Sequence, residues 1–351
     1  MKNVATSNTS SAKFRHSISK ALLGKDISMH KENVSRLEIA DLLESDIEAY
    51  FGKGLEDLES FLCKGSFTSY DGKFSGLMEQ LEGRGRFEFL MLSYLGKMNN
   101  GLRVSHTNPD LSTLAFLNRI NTFAKVMKSL TGKATKVTIA AENHAFDISI
   151  FSLGKSASAK MEAQTRKLLR EFKLSNIAIE PLETFLGGDD YYDEFERNLD
   201  AQRGDRKLLK SSGFRHLSSI FYYAYPTRGF ENAVRMYTSR AGKSEISQWA
   251  KEAALRYIAF HEARAKTGFW EKNSRYIRSS VSSRPGILVF QYGPGRVSPF
   301  QGVSTLKKGA IGTENFSDLV YGCRLKQADF NVSCYDSMPF YFDMDIRKRQ
   351  L

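Results

Sequence analysis

Cysteine is scarce in this chain: Cys63, Cys323 and Cys334 are its three, at wide spacing in 351 residues. An odd number so far apart builds neither a disulfide framework nor a zinc site, and a reducing cytoplasm is the expected setting. No apolar run approaches the roughly 18 residues that cross a bilayer. The N-terminus lacks the apolar core of a secretory signal. Several catalytic signatures are missing too. Gly293-Pro294-Gly295 is glycine-rich, but Pro294 and the following Val297-Ser298-Pro299 do not open the helix that a phosphate-cradling loop requires. His261-Glu262 begins like a metalloprotease helix, yet Ala265 stands where the second His belongs. There is no G-x-S-x-G nucleophile elbow, and the six His have no close ligand spacing, so no dedicated metal site is expected. Asp189-Asp190 lies between glycine and tyrosines and reads as a solvated loop.

What the chain does have is positive charge: 51 Lys and Arg against 39 Asp and Glu, a net +12. Such a field favours anionic partners. The basic residues are spread along the chain, without a zinc finger or an aromatic-rich RNA-binding signature. A phosphate-bearing small molecule is therefore a better expectation than nucleic acid or a membrane surface. A hydrophobic content of 41% supports one large domain or two modest ones.

Residues 1–33 form a basic, Ser- and Asn-rich stretch with no acidic residue before Asp26, and read as a flexible tail rather than a targeting peptide. Residues 34–80 read as an N-terminal helical segment, with Ile39, Leu42, Leu43, Ile47 and Tyr50 at helical spacing. Residues 81–326 alternate between the two periodicities. Phe87–Leu92 is a short apolar strand. Asn108-Pro109-Asp110 starts a helix from Leu111 to Leu130, with Asp110 as its cap. Strand Lys136–Ala140, helix Ser156–Phe172 and strand Ile177–Ile179 follow. Residues 189–240 read as helices and loops over a sheet. Ser244–Thr267 is a strong helix with Trp249, Ala253, Tyr257 and Phe260 on one side, and Ile277–Val281 and Gly286–Phe290 are later strands. Residues 327–351 form a C-terminal extension. This alternation predicts an α/β, Rossmann-like, mostly parallel sheet flanked by helices, with ligands beyond the carboxyl ends of the strands.

Four segments resemble the isocyanide (isonitrile) synthases, also known as the pyoverdine/dityrosine biosynthesis family. After the first strand, Lys97, Asn100, Pro109 and Asp110 fall at the family's spacing, while Leu92, Leu95, Gly96 and Met98 replace the prolines, cysteine and serine usual there. In Val137–Phe146 a strand ends in an acidic residue with Phe146 four positions on, and Glu142 stands where the family has Asp. In Ile277–Ser283, Arg278 and Ser280 match, but Ser282 and Ser283 replace His and Pro. In Ser298–Val303, Pro299, Gly302 and Val303 match, but Gln301 replaces His. The resemblance covers residues 80–305 or so.

The resemblance implies a transferase/lyase-type enzyme of specialised metabolism. Such enzymes join the α-amino group of an amino acid, commonly Tyr or Trp, to C2 of ribulose 5-phosphate and form an isonitrile. It implies no metal or organic cofactor, and a pathway partner of the iron(II)/2-oxoglutarate oxygenase type. The substrates demand cationic anchors and acid/base groups. Lys97 and Arg278 are the candidate anchors for phosphate or carboxylate, with Lys97 also a candidate proton donor. Glu142 is the candidate ammonium partner or base, and His144 and His106 are candidate titratable groups. Asn100, Ser280, Ser282 and Gln301 complete the expected set. Neither Ser282 nor Gln301 shuttles protons near neutral pH as the family's histidines do. Diverged one-carbon chemistry, such as N-formylation, and a non-catalytic binding protein are therefore the alternatives.

Overall fold

The computed structural model describes residues 28–52, 57–93, 109–142, 145, 150, 155–186, 190–222, 225, 239–281, 285–292, 303–314, 329–336 and 338–344. Strand β1 (Ser28–Asn33) is followed by helix α1 (Arg36–Phe51). Ser35 and Glu38 cap that helix reciprocally, with Glu38 N donating to Ser35 Oγ at 3.2 Å and Ser35 N to Glu38 Oε2 at 2.7 Å. Helix α2 (Leu58–Cys63), strand β2 (Thr68–Tyr70) and helix α3 (Phe74–Leu81) lead to β3 (Phe87–Ser93). Helix α4 (Leu111–Thr131) begins at Asp110, whose carboxylate accepts the Thr113 amide at 3.0 Å, as its sequence position predicts. It ends at Gly132 with φ +69°, a left-handed conformation that glycine adopts without strain. Then come β4 (Thr135–Ala141), α5 (Lys155–Glu171) and β5 (Ile177–Pro181).

A helical stretch follows: α6 (Glu183–Leu186), α7 (Asp190–Gly204), α8 (Arg206–Lys210), α9 (Ser212–Tyr222), α10 (Arg240–Lys266) and α11 (Phe269–Lys272). The chain closes its sheets with β6 (Ile277–Ser280), β7 (Leu288–Phe290), β8 (Val303–Lys307), β9 (Ala310–Glu314), β10 (Asp329–Tyr335) and β11 (Met338–Asp343).

The larger sheet has the order β2-β7-β6-β3-β4-β5 and is parallel except for β2 against β7. It is the α/β sheet that the alternating pattern predicts. From β3 the chain steps outward to β4 and β5, with α4 and α5 as crossovers. It then returns over the opposite face through α6–α11 and re-enters beside β3 as β6. Strand alternation divides the core accordingly. Phe87, Phe89, Met91, Val137, Ile139 and Ile277 face the α4 side, while Leu90 and Ala140 face α7, α9 and α10.

The smaller sheet, ordered β1-β10-β11-β8-β9, is mixed and packs on the other side of α4. Helix α4 is thus covered on both flanks, and Leu114, Ala115, Phe116, Leu117, Ile120 and Phe123 are wholly buried. Phe123 is the aromatic hub there, with centroids 5.3 Å from Phe61, 5.4 Å from Phe89 and 5.0 Å from Phe290. Each such pair adds about 0.5–1.5 kcal/mol to the area buried.

Three local expectations change. Residues 28–33, read with the flexible tail, form β1 and pair in parallel with β10. The helical segment 34–80 contains β2, which pairs with β7 through Thr68–Phe290, Ser69–Val289 and Tyr70–Leu288. Asp190, read as loop, opens α7, where a carboxylate meets the positive end of the helix dipole. The first two depend on strand partners far along the chain, which no local pattern reveals.

Candidate functional site

In a doubly wound sheet the binding crevice opens where the strand order reverses, beyond the carboxyl ends of the strands. Here the reversal lies between β3 and β6. The segment that carries Lys97 and Asn100 leaves the end of β3, and the segment that carries Ser282 leaves the end of β6. Lys97, Asn100, His106, His144, Ser282 and Gln301 themselves lie outside the described residues.

Hydrogen bonds fasten described parts of the four segments to their neighbours. Glu142 N donates to the Ser93 carbonyl at 3.0 Å, joining the ends of β3 and β4. Ser279 Oγ donates to the Leu90 carbonyl at 3.2 Å, joining β6 to β3. At the start of α4, Ser112 N donates to Ser304 Oγ at 3.0 Å, and both residues are buried. That bond holds the Pro109-Asp110 turn against the first residues of β8, which follow the segment carrying Gln301. The first two bonds join β3, β4 and β6, and the third joins α4 to β8.

Glu142 stands one residue beyond β4 and is 7% exposed. Its carboxylate is ion-paired with Arg264 of α10, itself 8% exposed. The other arm of the guanidinium, Nη2, lies 2.7 Å from His261 Nδ1. The imidazole packs edge-on against Tyr257 at 4.2 Å and Phe260 at 5.4 Å between ring centroids. The guanidinium lies 5.8 Å from the Phe260 ring centre and 5.9 Å from that of Phe269. A carboxylate fixed in this way at a strand end can hold an ammonium group or take a proton from an amine that becomes a nucleophile.

Tyr191 is coupled to this pair, and buried tyrosine and glutamate groups occur elsewhere on α5, α6 and α7. Tyr191 is fully buried, and its hydroxyl reaches the Phe260 carbonyl at 3.4 Å. Burial drives its phenol far above the ordinary range, Arg264 opposing and Glu142 adding to the shift. Burial likewise raises Tyr192, which donates to Glu183 Oε1 at 3.2 Å. Burial raises the carboxyl of Glu162 against the pull of Arg166, 3.2 Å away, and nearby Glu183 and Glu180 reinforce the rise. Among the described residues no group of three His, Cys, Asp or Glu is arranged to hold a metal ion. Among the same residues no helix is long and apolar enough to cross a membrane.

Arg278 and Ser280 share the α10-side face of the sheet with Glu142, by strand alternation from Leu90 and Ala140. Arg278 is exposed, its guanidinium 4.8 Å from the centre of the Trp270 ring. In register it pairs with Leu90, so it lies back from the strand ends, whereas Ser280 is the last residue of β6. Arg264 and His261 escaped the sequence reading. Their signal was present: Arg264 continues the Ala253-Tyr257-Phe260 stripe of α10, and a charge on an apolar stripe marks a buried partner.

The class that this fold defines is an α/β protein with a doubly wound, mostly parallel sheet whose strand order reverses between β3 and β6. It is similar in fold to the PvcA protein from Pseudomonas aeruginosa, whose crystal structure superposes with a TM-score of 0.59 at 16% identity. The match covers 94% of this chain and 99% of that one, so the two share the fold over essentially their full lengths. No protein-family model matches the sequence, and no match arises among curated proteins.

Proposed function

We propose that this chain is a divergent isocyanide synthase, joining the amino group of an amino acid to one carbon of a sugar phosphate. The observation that carries this reading is the full-length likeness in fold to PvcA. It gains weight from the four segments of sequence that resemble the family, in the same order along the chain. The finer reading is condensation of an aromatic amino acid with ribulose 5-phosphate, the amine adding to the C2 ketone with loss of water. Glu142 accepts the ammonium proton that must leave before the nitrogen attacks. Lys97 and Arg278 anchor the anionic groups, and Asn100, Ser280 and Gln301 orient hydroxyls. An iron(II)/2-oxoglutarate oxygenase is the expected consumer of the product.

The test is a mass-resolved assay of the purified chain with a pool of amino acids and ribulose 5-phosphate labelled at C2. The expected product carries the labelled carbon on the amino nitrogen; absence of any labelled amino-acid product removes the reading. Lys97→Ala and Arg278→Ala are expected to abolish turnover, and the exposure of Arg278 predicts an unchanged melting temperature for the second. The replacement of two family histidines by Ser282 and Gln301 favours one further reading, N-formylation. A formamide exceeds the isonitrile by one water, and the same spectrum separates them.

A further inference from the structure

The Glu142–Arg264–His261 network has features that a simple structural ion pair does not need. Helix α10 is already fastened to the sheet by an apolar cluster that includes Leu90, Ala140, Ala253, Ala254 and Phe260. A buried ion pair is often no more stabilising than apolar side chains of the same volume, so stability alone gives little reason for charge at this place. Both arms of the guanidinium are engaged, one by Glu142 and the other by His261 three residues earlier on the same helix. A guanidinium has donors only, so His261 Nδ1 supplies the lone pair and the ring proton resides on Nε2. The ring is in turn fixed by Tyr257 and Phe260. Arg264 therefore cannot rotate away from Glu142 without losing both contacts, and Glu142 directly follows the carboxyl end of β4.

We propose, resting on the functional reading above, that Arg264 and His261 are positioning residues that aim the Glu142 carboxylate at the substrate amine, the three side chains acting as one unit. His261→Phe keeps the ring and its packing but removes the acceptor for Arg264. It is expected to lower kcat about 10- to 100-fold, as a misplaced catalytic group does, with KM for ribulose 5-phosphate and the melting temperature close to wild type. His261→Asn, whose amide oxygen accepts the same bond, is expected to recover most of that loss. Glu142→Gln combined with Arg264→Lys is expected to lose no more than Glu142→Gln alone. Wild-type kcat in folded His261→Phe, or additive losses in the double variant, overturns the proposal.

A second measurement needs no substrate. The His261 Nδ1 resonance of ¹⁵N-histidine-labelled protein, assigned by its loss in His261→Asn, is expected to move in both Glu142→Gln and Arg264→Lys. If it stays in place, the three side chains do not act as a unit. If it moves while the wild type makes no labelled product, the functional reading fails and the coupling stands.

Discussion

Replacing Asp46 by alanine should be among the most damaging single changes available outside the site. Asp46 of α1 is 8% exposed and Arg119 of α4 is 3% exposed, so neither charge has water to fall back on. The pair is bidentate, with Arg119 Nε 2.6 Å from Oδ2 and Nη2 2.5 Å from Oδ1 of Asp46. The third guanidinium nitrogen donates to the Tyr292 carbonyl at 2.7 Å, and the Tyr50 ring lies 4.0 Å below the plane's centre. Asp46→Ala leaves a cation buried with one carbonyl and one ring face, a change that costs about 3–5 kcal/mol. A chain of 351 residues has an unfolding entropy of roughly 0.7 kcal/mol/K, so the melting temperature should fall by about 4–7 °C. The assay is thermal unfolding followed by circular dichroism and, separately, by the fluorescence of Trp249 and Trp270. Adding Arg119→Met removes the stranded charge and should return part of the loss. An Asp46→Ala melting point within about 1 °C of wild type, or strict additivity in the double variant, refutes the reasoning.

Phe123→Ala empties the aromatic hub under the larger sheet and should cost about 3–5 kcal/mol, read as a comparable fall in melting temperature. Ser304→Ala removes the acceptor of the buried Ser112 amide; about 1–3 kcal/mol should be lost, checked by the same unfolding curves, and turnover should fall with it because two site segments separate. Burial raises the phenols of Tyr191 and Tyr192, so the folded chain keeps protons that the unfolded chain releases above about pH 10. Their contribution to stability is intact below that pH and is lost as pH rises towards the folded values. Tyr191→Phe should therefore flatten the decline of melting temperature between about pH 10 and 12; a curve parallel to wild type would count against burial as the cause.

Much of the larger sheet was legible because its signals are local. Asp110 caps α4 as its place before the apolar stripe requires, Gly132 ends that helix, and strands β3, β4 and β5 read directly as β-branched or apolar runs between turn signals. Glu142 was legible from its place at a strand end. Its partners were not, because Arg264 lies on an element far along the chain and only the fold brings α10 over β4. The smaller sheet was illegible for the same reason. Strands β1, β10 and β11 carry no strong alternation, and their meaning comes from one another: Lys31 sits beside Val332, and Val332 beside Phe342. Tyr335, at the end of β10, donates to Glu171 of α5 at 3.2 Å, a contact between parts of the chain that no window of sequence contains together.

The pairing of β1 with β10 has a consequence for how the protein is made. On a ribosome, residues 28–33 emerge long before residues 329–335 exist, so one edge of the smaller sheet waits until β10 has been made. Until then the apolar surface that the late strands cover stays open to solvent or to other nascent chains. Pairings so distant along the chain are slow to close as well as late to appear. Folding of one of the two sheets therefore waits for strands made late, and the yield in a cell should respond to chaperone supply and translation rate more than the finished stability suggests.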